Sequence, residues 1–467
     1  MKHERNLGLS YYFERLQSSG VDSTVPCKAC QREDLGGQES LALAQTHAIS
    51  IFVIGIPPTL APRLAPLTGD PGDLVRQLAH LPGLVFFDTV GNLPTNHAPP
   101  LSIIGARPVD ILRGDIADHA TLNQSLLKWQ TQGRDFGFPA GAACGWVDYN
   151  GQYTFGVYPE LLIYHHRTGE WWETGNLSQE LKTPATPTDF QLGDWQASLN
   201  QKEFIHAVRE AKEYIAAGDI YQVNLSRRLR ALCHAPDGLL PLYEKLRSSS
   251  PAPVATYINL AGREVLSSSP ETFLRFSGRE IETRPIKGTR PRFADPELDS
   301  RSAFDLQRSE KETAELVMIT DLLRNDLGQV CEFGSVQVTD MLQHEKLEHV
   351  HHLVSTIRGT LRDEFTSTAA LSACFPGGSI TGAPKKRATE IISELEPVNR
   401  GLYTGAIGYL GFNGESQFNI AIRTLIHEAG HLDYHVGAGI VADSDPEAEF
   451  EETQHKARGV RLALGQH

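Results

Sequence analysis

Short apolar and β-branched runs alternate along the chain with turn signals and with a few stretches of helical spacing. Strands are predicted at 49–56, 84–88, 102–105, 110–113, 146–149, 153–157 and 161–165. The last three are separated by Asn150-Gly151 and Tyr158-Pro159, which predicts a β-meander. Helices are predicted at 73–81 and at 201–217, where Gly218 ends the second.

The second half of the chain continues this mixture of hairpins and helices. Helices are predicted at 307–327 and from 443 onward, and paired strands at 403–410 and 418–426. A Gly-rich loop at 376–384 leads into another helix, whose first backbone amides would suit an anion. Lys385, Lys386 and Arg387 at the start of that helix are interpreted as a solvated basic turn.

A Thr- and Pro-rich segment at 183–188 predicts a linker within the chain. It divides a variable N-terminal subdomain, residues 1–185, from a second domain at residues 196–465. The chemistry-bearing motifs lie in the second domain.

The stretch 265–292 predicts a hairpin, with strands at 272–276 and 280–286 around Ser277-Gly278-Arg279. If those three residues form the loop, Phe276 faces Glu280 and Glu271 faces Pro285. Side chains two apart share a face, so Lys287 would lie diagonally from Glu271, roughly 7 to 8 Å away between backbones.

The pairing of Glu271 with Lys287 has two interpretations. An acid facing an amine across the space of a small ring could protonate a leaving group while the amine attacks carbon. A surface ion pair on a solvated hairpin would show the same spacing. Spacing alone does not choose between them.

Composition and charge limit the function classes. The 467 residues carry 57 acidic and 43 basic side chains, a formal charge of −14, which argues against a nucleic-acid partner and against docking to an anionic membrane. The most apolar run, 48–56, is far below the roughly 20 residues that span a bilayer. We expect a cytoplasmic protein with no membrane association.

Two motifs carry a resemblance to a known family. Ser269-Pro270-Glu271 and the run Thr-Arg-Pro-Ile-Lys-Gly-Thr at 283–289 resemble the chorismate-utilising enzymes, most closely the aminodeoxychorismate synthase branch. That branch carries Lys at the position of Lys287, whereas anthranilate synthases usually carry a small residue there. The resemblance covers residues 200–465 and, loosely, the first 180.

The resemblance implies a fold and a reaction. The fold is α+β, with two stacked antiparallel β-sheets, helices outside, and the active site in the cleft between the sheets. The reaction converts chorismate and ammonia to 4-amino-4-deoxychorismate, for 4-aminobenzoate and folate synthesis. Lys287 would attack the ring while Glu271 protonates the departing hydroxyl, and ammonia would then expel the lysine.

The resemblance also implies roles for single residues. His352 orients or polarises the ring substituents. The residues with substrate-binding roles are Gln222, Ser379, Tyr403, Arg423, Gly439 and Lys456. Gln222 stands where the isochorismate synthase branch has a Lys that activates water, which counts against that branch.

A magnesium site is the cofactor expectation. By resemblance, Glu315 and Glu452 are direct Mg²⁺ ligands and Glu449 is a ligand through water. The alternative is structural, with Glu315 paired to Lys311 or to an arginine and the acids near residue 450 favoured by the dipole of a helix start. Glu449, Glu452 and Lys456 share one helix face.

Ammonia needs a source, and the chain contains no Gly-x-Cys-x-Gly nucleophile elbow. The resemblance implies a separate glutamine amidotransferase subunit as partner. Two alternatives stay open: an anthranilate synthase component I, and a catalytically idle paralogue that only binds a partner.

Overall fold

The computed structural model describes residues 61–89, 100–131, 136–347 and 350–465, so the strand predicted at 49–56 lies outside the described residues. The strands are β1 (Arg63–Ala65), β2 (Val85–Asp88), β3 (Leu101–Gly105), β4 (Asp110–Asp115), β5 (Ala142–Val147), β6 (Gln152–Tyr158), β7 (Leu161–His165), β8 (Glu170–Thr174), β9 (Gln191–Leu192), β10 (Gln196–Ala197), β11 (Gln222–His234), β12 (Ala255–Leu260), β13 (Arg263–Ser267), β14 (Thr272–Ser277), β15 (Glu280–Arg284), β16 (Ile286–Pro291), β17 (Gln337–Lys346), β18 (Val350–Thr360), β19 (Gly382–Ala383), β20 (Ala406–Gly411), β21 (Ser416–Ile420), β22 (Thr424–Glu428) and β23 (His431–Ile440). The helices are α1 (Pro71–Leu78), α2 (His119–Leu127), α3 (Gln201–Ala216), α4 (Leu240–Ser249), α5 (Pro296–Gln307), α6 (Glu310–Gly328), α7 (Ser367–Cys374), α8 (Lys385–Leu395) and α9 (Pro446–Ala463).

The strands form two antiparallel sheets. Sheet A runs in the order β1-β8-β7-β3-β2-β12-β13-β22-β23-β11-β10, with β9 and β19 also paired to β11. Sheet B runs in the order β16-β18-β15-β14-β21-β20-β5-β6-β4, with β17 paired to β18. The prediction of an α+β fold with two antiparallel sheets is confirmed.

Apolar side chains pack between the sheets and under the helices. One cluster joins Phe87 and Ile103 of sheet A to Trp146 and Ile407 of sheet B. Helices α2, α6 and α7 cover sheet B, whereas α1, α3, α4, α8 and α9 cover sheet A. Each sheet therefore packs one face against the other sheet and its other face against helices, so the helices lie outside the pair of sheets.

Two strand predictions are wrong in an informative way. The run 146–165 is not a meander, because β5 and β6 pair in sheet B while β7 belongs to sheet A. The run 418–426 is not one strand either, since it divides into β21 of sheet B and β22 of sheet A. Arg423 lies at this crossing with a φ of 50°.

The helix boundaries follow local signals. The helix predicted at 201–217 is α3, opened by a reciprocal Asn200–Glu203 capping box, and Gly218 follows it with a φ of 84°. The helix predicted at 307–327 is α6, which Ser309 caps, and a separate helix α5 precedes it. Among the described residues, no helix is both long and apolar enough to cross a membrane.

The segment 183–188 is exposed and has no regular structure. Both sheets take strands from before and after it. The division into residues 1–185 and 196–465 stays a prediction.

Candidate active site

The hairpin places Glu271 as predicted, although its turn is different. Ser277 pairs with Glu280 and Phe276 with Ile281, so the loop has two residues and the predicted pairing of Phe276 with Glu280 is wrong. An irregularity between Thr272 and Arg275 then restores the register, because Thr272 pairs with Arg284. Glu271 therefore comes opposite Pro285, two residues before Lys287.

Glu271 is a buried carboxyl group. Its side chain is 6% exposed, and burial raises its pKa to about 7 despite a hydrogen bond from Ser379 and the positive charge of Lys287. Ser379 reaches it from a 3-10 turn in the Gly-rich loop, Gly378–Ile380. A carboxyl group that is partly protonated at neutral pH can act as a general acid.

Lys287 projects from β16 into the same space. Its Nζ lies 3.9 Å from Glu315 Oε2, and a Cβ at Gly439 would also lie 3.9 Å from that Nζ. The lysine side chain is 17% exposed. The sheets thus bring an acid and an amine together, with glycine backbone as the opposing wall.

Three carboxylates, Glu315, Glu449 and Glu452, each lie beside a lysine, and Glu315 is the one beside Lys287. Glu449 Oε1 lies 3.8 Å from the Lys311 amine and accepts a hydrogen bond from Ser444, and Glu452 Oε1 lies 2.7 Å from the Lys456 amine. Burial raises the pKa of Glu315 against the opposing charge of Lys287, and the repulsion of Glu452 adds to the rise.

The three acids fit a magnesium ion by donor type. An all-oxygen set suits Mg²⁺, and an added cation would relieve the repulsion between Glu315 and Glu452. In the described part of the chain, no three His, Cys, Asp or Glu side chains are already grouped to ligate one ion.

His352 is buried on β18. Its Nδ1 lies 3.3 Å from the Gly288 carbonyl and 3.1 Å from Thr289 Oγ1. If Nδ1 donates to that carbonyl, which only accepts, Nε2 carries a lone pair. Burial, and then the charge of Arg423, lower the pKa of His352 to about 4. Nε2 has no hydrogen-bond partner among the described residues, so it can accept one from a substrate hydroxyl.

Arg423 supplies positive charge to the site, and Tyr403 supplies a buried neutral phenol. Burial lowers the pKa of Arg423, and no ion pair in the described part of the chain neutralises it. The ring of Tyr403 stacks on His435 at 5.0 Å between centroids. A Cβ at Gly437 would lie 2.9 Å from Tyr403 Oη, so only glycine leaves this phenol room. An unpaired guanidinium is a ready partner for a substrate carboxylate.

The remaining two residues with predicted substrate-binding roles are Gln222 and Lys456, and both lie beside glycines of β23. Gln222 begins β11 and is 3% exposed, with its Oε1 unpartnered among the described residues. A Cβ at Gly439 would lie 2.7 Å from Gln222 Nε2. Lys456 donates to the Gly437 carbonyl at 3.0 Å. All twelve predicted residues therefore belong to one connected region.

Two buried ionic contacts differ from what the sequence predicts. Lys385 is not part of a solvated turn, because its amine donates to Asp326 at 2.7 Å and to the Cys374 carbonyl at 3.1 Å. The buried pair of Arg400 and Glu396 was missed altogether. The only signal was an acid and an arginine four residues apart, a spacing that is also common on exposed helix surfaces.

A family model described as chorismate binding enzyme matches residues 134–461. The anthranilate synthase component 1 of Streptomyces coelicolor is 48% identical over 282 residues, which are 60% of this chain and 55% of that protein. The corresponding protein of Thermus thermophilus is 47% identical over 58% of each chain. The aminodeoxychorismate synthase component 1 of Bacillus subtilis is 44% identical over 58% of this chain and 57% of that protein. The chain thus spans just over half the length of these relatives.

Solved structures show the same architecture. Anthranilate synthase component I from Streptococcus pneumoniae has a TM-score of 0.69 and 28% identity, covering 79% of this chain and 94% of that one. The menaquinone-specific isochorismate synthase MenF from Escherichia coli has a TM-score of 0.71 at 19% identity, covering 86% and 94%. The second likeness shows the fold alone.

Proposed function

Because the chain belongs to the chorismate-binding enzyme family, we propose that it is an aminodeoxychorismate synthase component I, which converts chorismate and ammonia to 4-amino-4-deoxychorismate. The observation that carries this choice is the position of Lys287, whose amine lies in the site beside Gly439 and near the buried acid Glu271. A small residue at 287 could not form a covalent intermediate.

The proposed reaction has two balanced steps. The lone pair of the Lys287 amine forms a bond to ring C2, both double bonds of the ring diene shift toward C4, and the 4-hydroxyl leaves as water with the proton of Glu271. Ammonia then forms a bond to C4, both double bonds shift back, and the C2–lysine bond breaks to release the lysine amine. The Glu271 carboxylate takes the proton that the added ammonia loses, so the acid is regenerated.

The other residues bind and orient the substrate in this proposal. Arg423 and Tyr403 hold the side-chain carboxylate, and the lone pair of His352 Nε2 accepts a hydrogen bond from a ring substituent. Ser379 holds the carboxyl group of Glu271 in place.

Magnesium would be held by Glu315 and Glu452 directly and by Glu449 through water. It would neutralise the ring carboxylate of chorismate at the acidic end of the site. The observation in favour is the all-oxygen donor set of three acids on α6 and α9.

We also propose that ammonia comes from a glutamine amidotransferase subunit. Relatives of both branches are named as component 1, which supports a second component. Ammonium salts should support turnover by this chain alone, and glutamine should support it only after the partner is added.

The second candidate is an anthranilate synthase component I. It is favoured by relatives of that name, which reach 48% identity against 44% for the aminodeoxychorismate synthases. Lys287 opposes it.

Product identity tests the proposal. Purified protein is incubated with chorismate, Mg²⁺ and an ammonium salt, and products are identified by mass spectrometry with and without a lyase that releases 4-aminobenzoate. We expect 4-aminobenzoate only when the lyase is present. Anthranilate without the lyase would overturn the choice of branch.

A matched pair of variants tests the covalent step. Lys287→Ala should abolish the adduct, seen in wild-type protein quenched with chorismate as a mass increase on the peptide that contains residue 287. Lys311→Ala removes a lysine from the rim of the same site, where it lies beside Glu449, and should leave that adduct detectable.

A further inference from the structure

Arg400 is a buried arginine with no assigned role in binding substrate, yet its side chain joins the segments that carry several of the predicted substrate-binding residues. Its side chain is 1% exposed and that of its partner Glu396 is 5% exposed. Arg400 Nε and Nη2 donate to the two oxygens of Glu396 at 2.9 and 2.7 Å. This bidentate pair leaves the outer edge of the guanidinium free for other contacts.

That outer edge holds three separate segments by their backbone or side-chain oxygens. Nη2 donates to the Asn224 carbonyl at 2.7 Å, and Nη1 donates to the Ile380 carbonyl at 3.2 Å and to Thr404 Oγ1 at 3.1 Å. Glu396 completes the junction because its Oε1 accepts from the Ser226 amide at 2.8 Å.

Each of these contacts lies next to a predicted substrate-binding residue. Ile380 follows Ser379, and Thr404 follows Tyr403. Asn224 pairs across the sheet with Gly439 and is two residues from Gln222. The guanidinium also lies over the ring of Tyr403, 5.7 Å from its centroid.

The backbone at Thr404 has an unfavourable conformation that contacts from elsewhere in the fold must hold in place. Thr404 has a φ of 61°, which is unfavourable for a β-branched residue. Its hydroxyl accepts from Arg400 and donates to the Tyr403 carbonyl at 2.5 Å. The direction of the Tyr403 ring therefore depends on a turn that Arg400 holds.

We propose that Arg400, paired with Glu396, is a positioning residue that sets the geometry of the substrate-binding wall formed by Gln222, Ser379, Tyr403 and Gly439. This inference rests on the proposed function only in taking chorismate as the ligand. A lysine cannot replace Arg400, since one ammonium group cannot reach Glu396 and three segments in a plane.

The test distinguishes an effect of Arg400 on substrate binding from an effect on the stability of the fold. Removing one member of a buried ion pair destabilises a protein, but replacing both with apolar residues of similar volume is often neutral. Arg400→Lys and the double variant Glu396→Leu/Arg400→Met are therefore compared with wild type by urea unfolding, by calorimetric titration with chorismate, and by chorismate consumption with ammonium and Mg²⁺.

We expect Arg400→Lys to lower the unfolding midpoint and raise KM for chorismate at least tenfold. The double variant should recover the midpoint and keep the raised KM, because its apolar side chains fill the space without holding the three segments. Recovery of KM to within twofold of wild type together with the midpoint would overturn the proposal.

A second variant covers the case in which both arginine variants fail to fold. Thr404→Gly removes one contact of Arg400 together with the strain of its side chain, so it should unfold close to wild type with KM raised severalfold. An unchanged KM in Thr404→Gly would overturn the proposal. Arg76→Met, which breaks an exposed contact with Glu244, is the control and should change neither KM nor kcat.

The outcome is distinguishable from failure of the proposed function. KM and binding are measured whichever product forms, so anthranilate as product would refute the proposed branch without affecting the comparison of variants. Absence of chorismate binding by wild-type protein would refute both.

Discussion

Replacing the carboxyl group of Glu271 by an amide is expected to stabilise the folded protein at pH 8 while sharply lowering turnover. Burial raises the pKa of Glu271 from 4.5 to about 7. An acid with a raised folded pKa contributes stability below its unfolded pKa, and that contribution is lost as the pH rises through the folded value. At about 1.4 kcal/mol per pKa unit, this group costs wild type about 3 kcal/mol between pH 4.5 and pH 8.

The assay is urea unfolding of wild type and Glu271→Gln at both pH values, in buffer without Mg²⁺. Glutamine keeps the shape of the side chain and a hydrogen-bonding oxygen for Ser379, but it does not ionise. The stability of the variant relative to wild type should therefore rise by about 3 kcal/mol from the lower pH to the higher one.

Turnover gives the second readout of the same substitution. Glu271→Gln should lower kcat at least about 100-fold, because a positioned general acid contributes that much or more. A stability difference that is the same at both pH values, within about 1 kcal/mol, would mean that Glu271 ionises in the folded protein as it does in the unfolded chain. The assignment of Glu271 as a proton donor at neutral pH would then be wrong.

Three further measurements follow from the same contacts. Ser379→Ala removes a hydrogen bond that favours the ionised Glu271, so the pKa of Glu271 should rise and the alkaline limb of kcat/KM, measured at constant free ammonia, should move up by about one pH unit. Lys385→Met leaves Asp326, whose side chain is 8% exposed, without its cation, and urea unfolding should show a loss of about 3 kcal/mol that Asp326→Asn in the same background partly restores. A chelator should abolish turnover, and added Mg²⁺ should restore it. In a titration of activity, Glu452→Gln should require about tenfold more Mg²⁺ than wild type, because the variant loses a charged ligand. Equal Mg²⁺ requirements in the two proteins would contradict the assignment of Glu452.

The hairpin shows how far local sequence signals reach. The sequence predicts a reversal at Gly278, and this glycine has a φ of 56°. The predicted loop length was wrong by one residue, but an irregularity after Thr272 shifts the register back, so Glu271 still faces Pro285. A bulge has no reliable sequence signature, because the extra residue is accommodated by the partner strand and by the sheet around it.

Other features depend on contacts between distant parts of the chain. The local sequence does not predict that β7 belongs to a different sheet from β6, or that β22 belongs to a different sheet from β21. The hydrophobic pattern of a strand is the same whichever of the two sheets it joins. The side-chain hydrogen-bond partners of Arg400 are 4 to 176 residues away in the sequence. The sequence around a buried arginine with such contacts looks like that around an exposed arginine, because its partners are brought next to it only by the tertiary fold.

The distribution of charge explains why a dicarboxylate would enter this site in one orientation. One end carries Glu315 and Glu452, which would repel a carboxylate unless a divalent cation lay between them. The other end carries Arg423, a guanidinium without an acidic partner in the described part of the chain, beside a neutral His352 that competes for no anion. In the proposed reaction the ring carboxylate therefore binds at the acidic end and the other carboxylate at Arg423. Reversing the substrate would place one carboxylate against two glutamates, so in the proposed reaction the same charges would fix which ring carbon faces Lys287.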